Sequence, residues 1–123
     1  MTTAQAQGVV EIESKEQLDR DINTLVVPII VFFTAPSCHA CHQLEPFLDR
    51  IAKKGVPLNE TQTSFLTVAV RKINVEQFPQ IASVHGVRSL PTCLFVYQGG
   101  IFSSHVGTMN ESKLLEIIKS RRQ

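Results

Sequence analysis

Val31-Phe32-Phe33-Thr34-Ala35-Pro36-Ser37-Cys38-His39-Ala40-Cys41-His42 is the stretch from which the rest of this chain can be read. Its first three residues close an unbroken apolar run, Leu25 to Phe33, of the kind a strand buried on both faces requires. Pro28 cannot donate to a ladder and marks the first half of that run as edge or irregular. Thr34 to Ser37 reads as a turn. Beyond it Cys41, Leu44, Phe47, Leu48 and Ile51 recur at helical spacing, which predicts a helix from about Ser37 to Lys53, kinked by Pro46.

Strand, turn and helix in that order put Cys38 at a helix start, where unpaired backbone N–H groups and the helix dipole favour negative charge. A free thiol titrates near ~8.5, and the first cysteine of C-x-x-C at a helix start is typically lowered, which raises its reactive fraction at neutral pH. Cys41, one turn on, points back toward it. The pair can close a small disulfide ring, so Cys38 can attack a disulfide and Cys41 can resolve the mixed disulfide. The same residues admit other readings. Cys38-His39-Ala40-Cys41-His42 also fits the C-x-x-C-H haem-attachment pattern, although a helix start after a buried strand is not the setting of small haem-c proteins. A zinc site could use both cysteines and both histidines, but structural sites usually pair two clusters and no second one is present. Two inert buried cysteines would conflict with the exposure expected beside a Pro-containing turn.

Outward from this stretch the elements fall into a regular order. Val9 to Ile12 reads as a short strand, and Ser14 with Gln17 forms a capping box for a helix to about Asn23. Lys54 to Ser64, polar and holding Gly55 and Pro57, reads as a loop that could recognise a partner, and Phe65 to Val75 as a strand. A short helix from Phe78 to His85 is stopped by Gly86. Pro91 to Tyr97 and Ile101 to Val106 flank Gly99-Gly100 as a hairpin. Asn110 caps a last helix whose apolar stripe is Leu114, Leu115, Ile117 and Ile118. The order β-α-β-α-β-α-β-β-α implies an α/β chain with a central mixed β-sheet flanked by helices on both faces.

Composition narrows the function classes. With 43% hydrophobic and 19% charged residues in 123, the chain has the balance of one soluble globular domain. A net charge of +1 leaves no field suited to nucleic acid or an anionic membrane. Lys119, Arg121 and Arg122 cluster at the C-terminal end, where they suit a helix dipole. The run Leu25 to Phe33 is far shorter than the roughly 20 residues of a membrane span. Met1 to Gly8 is polar, without the basic start and apolar run of a secretory signal. Three cysteines with C-x-x-C spacing then suggest redox or metal chemistry in a reducing compartment, cytoplasmic or alternatively mitochondrial. Cys93, in an apolar strand, reads as a small core hydrophobe. His85 and His105 read as surface residues.

Several separated motifs together resemble the thioredoxin family over nearly the whole chain, from Val9 to about Lys119. They are Val31 through Cys38 before the dithiol, Pro46 in the helix, Lys72-Ile73-Asn74-Val75-Glu76, Val84-His85-Gly86-Val87-Arg88-Ser89-Leu90-Pro91-Thr92, and Gly99-Gly100 to Val106-Gly107. The resemblance implies a thioredoxin fold as one domain over residues 9–123 after a flexible tail, 1–8. It implies disulfide exchange by Cys38 as nucleophile and Cys41 as resolving cysteine, without a cofactor. The partners implied are disulfide-containing protein substrates and a recycling reductase or dithiol, with the chain a monomer. Pro91 would be cis and lie against the dithiol, a minority state that needs tertiary support. Ser37, Val75, Leu90, Val106 and Gly107 would complete a substrate groove whose backbone carries recognition.

The departures from the family pattern mark what is individual here. Thioredoxins usually carry a buried aspartate at the position of Phe32, partnered by a lysine matching Lys72. Here the lysine remains and the acid is gone, so help in deprotonating Cys41 must come from water or a neighbour, with His42, Glu45 and His39 as candidates. Thr34 and Ser37 stand where the family has tryptophans, and His39-Ala40 where it has Gly-Pro. A protonated His39 near Cys38 would stabilise the thiolate and give a potential less reducing than an ordinary thioredoxin's. These changes leave a second reading open, a thioredoxin-like binding or scaffold protein with weak redox turnover.

Overall fold

The computed structural model describes residues 8–121, so the expected tail lies outside the described residues except for Gly8, as does Arg122. In chain order the elements are β1 (Val9–Glu11), α1 (Lys15–Thr24), β2 (Ile29–Thr34), α2 (His39–Lys54), β3 (Val56–Pro57), β4 (Phe65–Leu66), β5 (Ala69–Asn74), α3 (Pro79–Val84), β6 (Thr92–Tyr97), β7 (Gly100–Val106) and α4 (Glu111–Lys119). Five strands form one sheet in the order β1-β5-β2-β6-β7. The pairs β1–β5 and β5–β2 are parallel, while β2–β6 and β6–β7 are antiparallel. This is the mixed sheet that the element order implies.

Alternation along β2 splits the interior in two. Ile30 and Phe32 pack with Leu44, Leu48 and Ile51 of α2 and with Leu114, Ile117 and Ile118 of α4. Ile29, Val31 and Phe33 face the other way, onto Leu18 of α1 and Ile81 and Ala82 of α3. Each such side chain contributes roughly 1.5–3 kcal/mol by leaving water. Because β2 is buried on both faces, its end is held from all sides, which gives the turn after it a firm base.

Local signals set most boundaries. Ser14 Oγ accepts from the Gln17 amide at 3.1 Å, while Gln17 Oε1 accepts from the Glu13 amide rather than that of Ser14. Asn110 Oδ1 accepts from the Lys113 amide at 2.9 Å. The helix α2 runs on through Pro46. As Pro28 leads the sequence to expect, strand β2 begins only at Ile29: Pro28 has no N–H to give and joins the ladder only through its carbonyl, which accepts from Ala69 at 2.9 Å. One expectation is corrected. The segment expected as loop followed by one strand from Phe65 is a small hairpin, β3 against β4, set apart from β5. Gly55 allows it: its φ is +85°, and a Cβ there would lie 2.5 Å from the Leu66 carbonyl oxygen.

Candidate active site

Cys38 is the N-cap of α2, and its Sγ accepts from the Cys41 amide at 3.1 Å. The Cys38 amide donates to the Ala35 carbonyl at 3.0 Å and the His42 amide to the Cys38 carbonyl at 3.3 Å, so the turn and the first helical turn are locked together. The two sulfurs lie at disulfide-bonding distance with Cα atoms 5.3 Å apart. Cys38 is half-buried and Cys41 fully buried. An incoming disulfide can therefore reach the outer sulfur and not the inner one.

The Leu90–Pro91 peptide bond is cis. Pairing of Phe33 with Thr92 sets Pro91 beside the end of β2, and Gly107 donates to the Pro91 carbonyl at 2.8 Å. Ser37, Val75, Leu90, Pro91, Val106 and Gly107 thus gather at one end of the sheet, where β2, β5 and β7 finish and β6 starts. The Val75 amide donates to the Thr34 carbonyl at 2.9 Å, and Val75 and Leu90 line a groove of about 510 Å³. Val106 is exposed. Ser37 Oγ donates to Glu76 Oε2 at 3.3 Å, a contact the sequence reading did not include.

Of the residues expected to tune the dithiol, Lys72 and His42 share one cavity, while His39 and Ala40 are not part of its lining. Lys72 Nζ donates to Glu45 Oε2 at 2.6 Å, and both are about a quarter exposed. Together with Thr34, Pro36 and His42 they line a second cavity of about 210 Å³. His42 is exposed and its Nε2 lies 2.8 Å from the Pro36 carbonyl; since a carbonyl only accepts, that nitrogen carries the proton. His39 is exposed, its Nε2 3.5 Å from Gln43 Nε2, and Ala40 is half-buried. Phe32 sits in the ladder between Lys72 and Cys93 with no exposed surface. Cys93 is buried, and loss of hydration pushes its thiol up to about 12. His85 and His105 are half-buried rather than free on the surface, with ring nitrogens 2.9 Å and 3.1 Å from the carbonyls of Ile81 and Thr108. Among the described residues no group of three or more His, Cys, Asp or Glu side chains is placed to hold a metal ion, and no helix is long and apolar enough to cross a membrane.

Comparison with known proteins agrees with this geometry. The family model described as Thioredoxin matches residues 9–120. Thioredoxin 1 of Nostoc sp. is 35% identical over 98 residues, 80% of this chain and 78% of that protein. A thioredoxin of Rickettsia felis is 32% identical over 106 residues, 85% of this chain and 86% of that one. The M-type chloroplastic thioredoxin of Spinacia oleracea is 33% identical over 93 residues, and there the chain spans only 46% of the relative's length. Among solved structures, a mutant thioredoxin from Halobacterium salinarum superposes with a TM-score of 0.78 at 27% identity, covering 96% of this chain and 94% of that one. A thioredoxin of Nicotiana alata gives 0.73 at 26% identity, with 93% of each chain covered.

Proposed function

The chain belongs to the thioredoxin family, and we propose that it works as a thiol–disulfide oxidoreductase in which Cys38 is the nucleophile and Cys41 the resolving cysteine. The observation that carries this reading is the pair itself: two sulfurs at disulfide distance at the start of α2, the outer one accessible and the inner one buried. In the reductive direction the Cys38 thiolate attacks one sulfur of a substrate disulfide, forming Cys38–S–S–substrate and releasing the other sulfur as a thiolate. Cys41 then attacks Cys38 Sγ, the Cys38–Cys41 bond forms, and the second substrate sulfur leaves with the electron pair. The N–H groups at the start of the helix favour the thiolate form of Cys38.

An extended substrate segment pairs with the main chain of Leu90, which among the described residues makes no backbone hydrogen bond of its own. Val75 and Pro91 flank it, and Ser37, Val106 and Gly107 form the rim. Thioredoxins act on disulfide-bearing proteins and are recycled by reductases; this chain does so as a monomer in a reducing compartment, cytoplasmic or mitochondrial. His39 beside Cys38 makes its potential less reducing than an ordinary thioredoxin's. No bound cofactor takes part.

Insulin reduction with dithiothreitol tests the assignment. Wild type should accelerate it, Cys38→Ser should not, and Cys41→Ser should trap a mixed disulfide. A wild type no faster than Cys38→Ser under any reductant overturns the enzyme reading and leaves a binding or scaffold role for the groove.

A further inference from the structure

Cys41 has no exposed surface, yet its thiol must lose a proton each time its sulfur attacks. The cluster in which it sits contains Phe32, Leu44, Leu48 and Cys93, none of which accepts a proton readily. Three titratable side chains follow Cys38 on the first turns of α2. His39 is exposed and turned to Gln43, and His42 has its Nε2–H committed to the Pro36 carbonyl. Glu45 is different. It comes four residues after Cys41, on the same side of the helix, and reaches across to Lys72, whose ladder neighbour is Phe32. The pair lines the cavity of about 210 Å³ together with Glu11, Thr34 and Asn74, a space several times the roughly 30 Å³ share of one water, so it meets solvent where Cys41 does not.

We propose that the Glu45–Lys72 ion pair is the proton-exchange site of the resolving cysteine, with Glu45 as the group that takes the Cys41 proton. The inference rests on the reading that Cys41 resolves. In the resolving step the Cys41–Cys38 sulfur bond forms, the Cys38–substrate bond breaks, and the substrate sulfur departs with the electron pair. The proton from Cys41 passes to the Glu45 carboxylate, held by Lys72, and from there through water in the cavity to solvent. The other ionisable side chains facing this place are Glu11 of β1, which lines the cavity, His42, and Asp49 one turn further along α2, which is paired with Lys53 at 3.1 Å.

Stopped-flow kinetics with a fluorogenic peptide disulfide separate the two steps. The attack rate is read in the Cys41→Ser background and the resolving rate from decay of the mixed disulfide in the two-cysteine protein. Glu45→Gln should slow resolution by about tenfold or more, with a rate that climbs with hydroxide concentration, and change the attack rate less than twofold. Added acetate should restore resolution in Glu45→Ala. Resolution at the wild-type rate in Glu45→Gln overturns the inference, as does an equal slowing of both steps, which marks a structural role. A larger loss in His42→Gln than in Glu45→Gln overturns it as well. If attack itself is absent, the oxidoreductase reading fails first, and the two failures are distinct.

Discussion

Replacing Asp21 by Asn tests how the sheet that carries the dithiol is anchored. Arg71 lies in mid-β5, paired with Val10 on one side and Val31 on the other, and its Nε donates to Asp21 Oδ2 of α1 at 2.7 Å. Side-chain exposure is 7% for Arg71 and 17% for Asp21, so the guanidinium depends on this carboxylate and on the Val70 carbonyl at 3.3 Å. Removing one partner of a buried pair costs about 3–5 kcal/mol, because the remaining charge stays out of water. Some water reaches the pair through Asp21, which puts the expected loss near the lower end, about 3 kcal/mol. Against a typical total of about 5–15 kcal/mol, that is a large fraction. With a urea slope of about 1.5 kcal/mol per molar, the midpoint should fall by about 2 M. Far-ultraviolet circular dichroism is the suitable probe, as the chain has no tryptophan. The double change Asp21→Leu with Arg71→Met removes both charges and should recover most of the loss. A midpoint shift below about 0.3 M in Asp21→Asn, or a double variant less stable than the single one, refutes the reasoning.

Other outcomes follow from burial and backbone geometry. Phe32→Ala, which empties a fully buried position beneath Cys41, should cost about 3–5 kcal/mol in urea unfolding. The Cys93 thiol stays protonated in the folded chain up to about 12 but ionises from its ordinary 9.0 when unfolded. Its contribution is therefore complete below about 9 and disappears as pH rises toward 12; Cys93→Ala should flatten stability across that window, and parallel curves for the two proteins would count against it. In the folded, reduced protein at pH 8, iodoacetamide should label Cys38 and spare Cys93. Gly55→Ala forces a side chain onto the Leu66 carbonyl at positive φ and should destabilise by more than about 1 kcal/mol, seen as a lower melting temperature. Equilibration with glutathione should give a potential less negative than the roughly −270 mV of an ordinary thioredoxin, and His39→Gly should lower it.

Much of the fold is legible along the chain because its causes act over a few residues. The buried run before Cys38, the caps at Ser14 and Asn110, the stop at Gly86 and the turn at Gly99-Gly100 each state a local preference, and their order leaves little choice beyond a mixed sheet with helices on both faces. The position of Cys38 at a helix start comes from the same local grammar. Hairpin β3–β4 was hidden because two-residue strands carry no periodicity, and only the approach of Leu66 to Gly55 defines them. The electrostatics were hidden for a different reason. Glu45 and Lys72 are 27 residues apart, Ser37 and Glu76 are 39 apart, and Asp21 and Arg71 are 50 apart. Sequence alone determined that this chain carries a C-x-x-C pair at a helix start after a buried strand. Which cation meets Glu45, one helical turn below the inner cysteine, was decided by strand register and helix packing, since a charge answers to its neighbours in space.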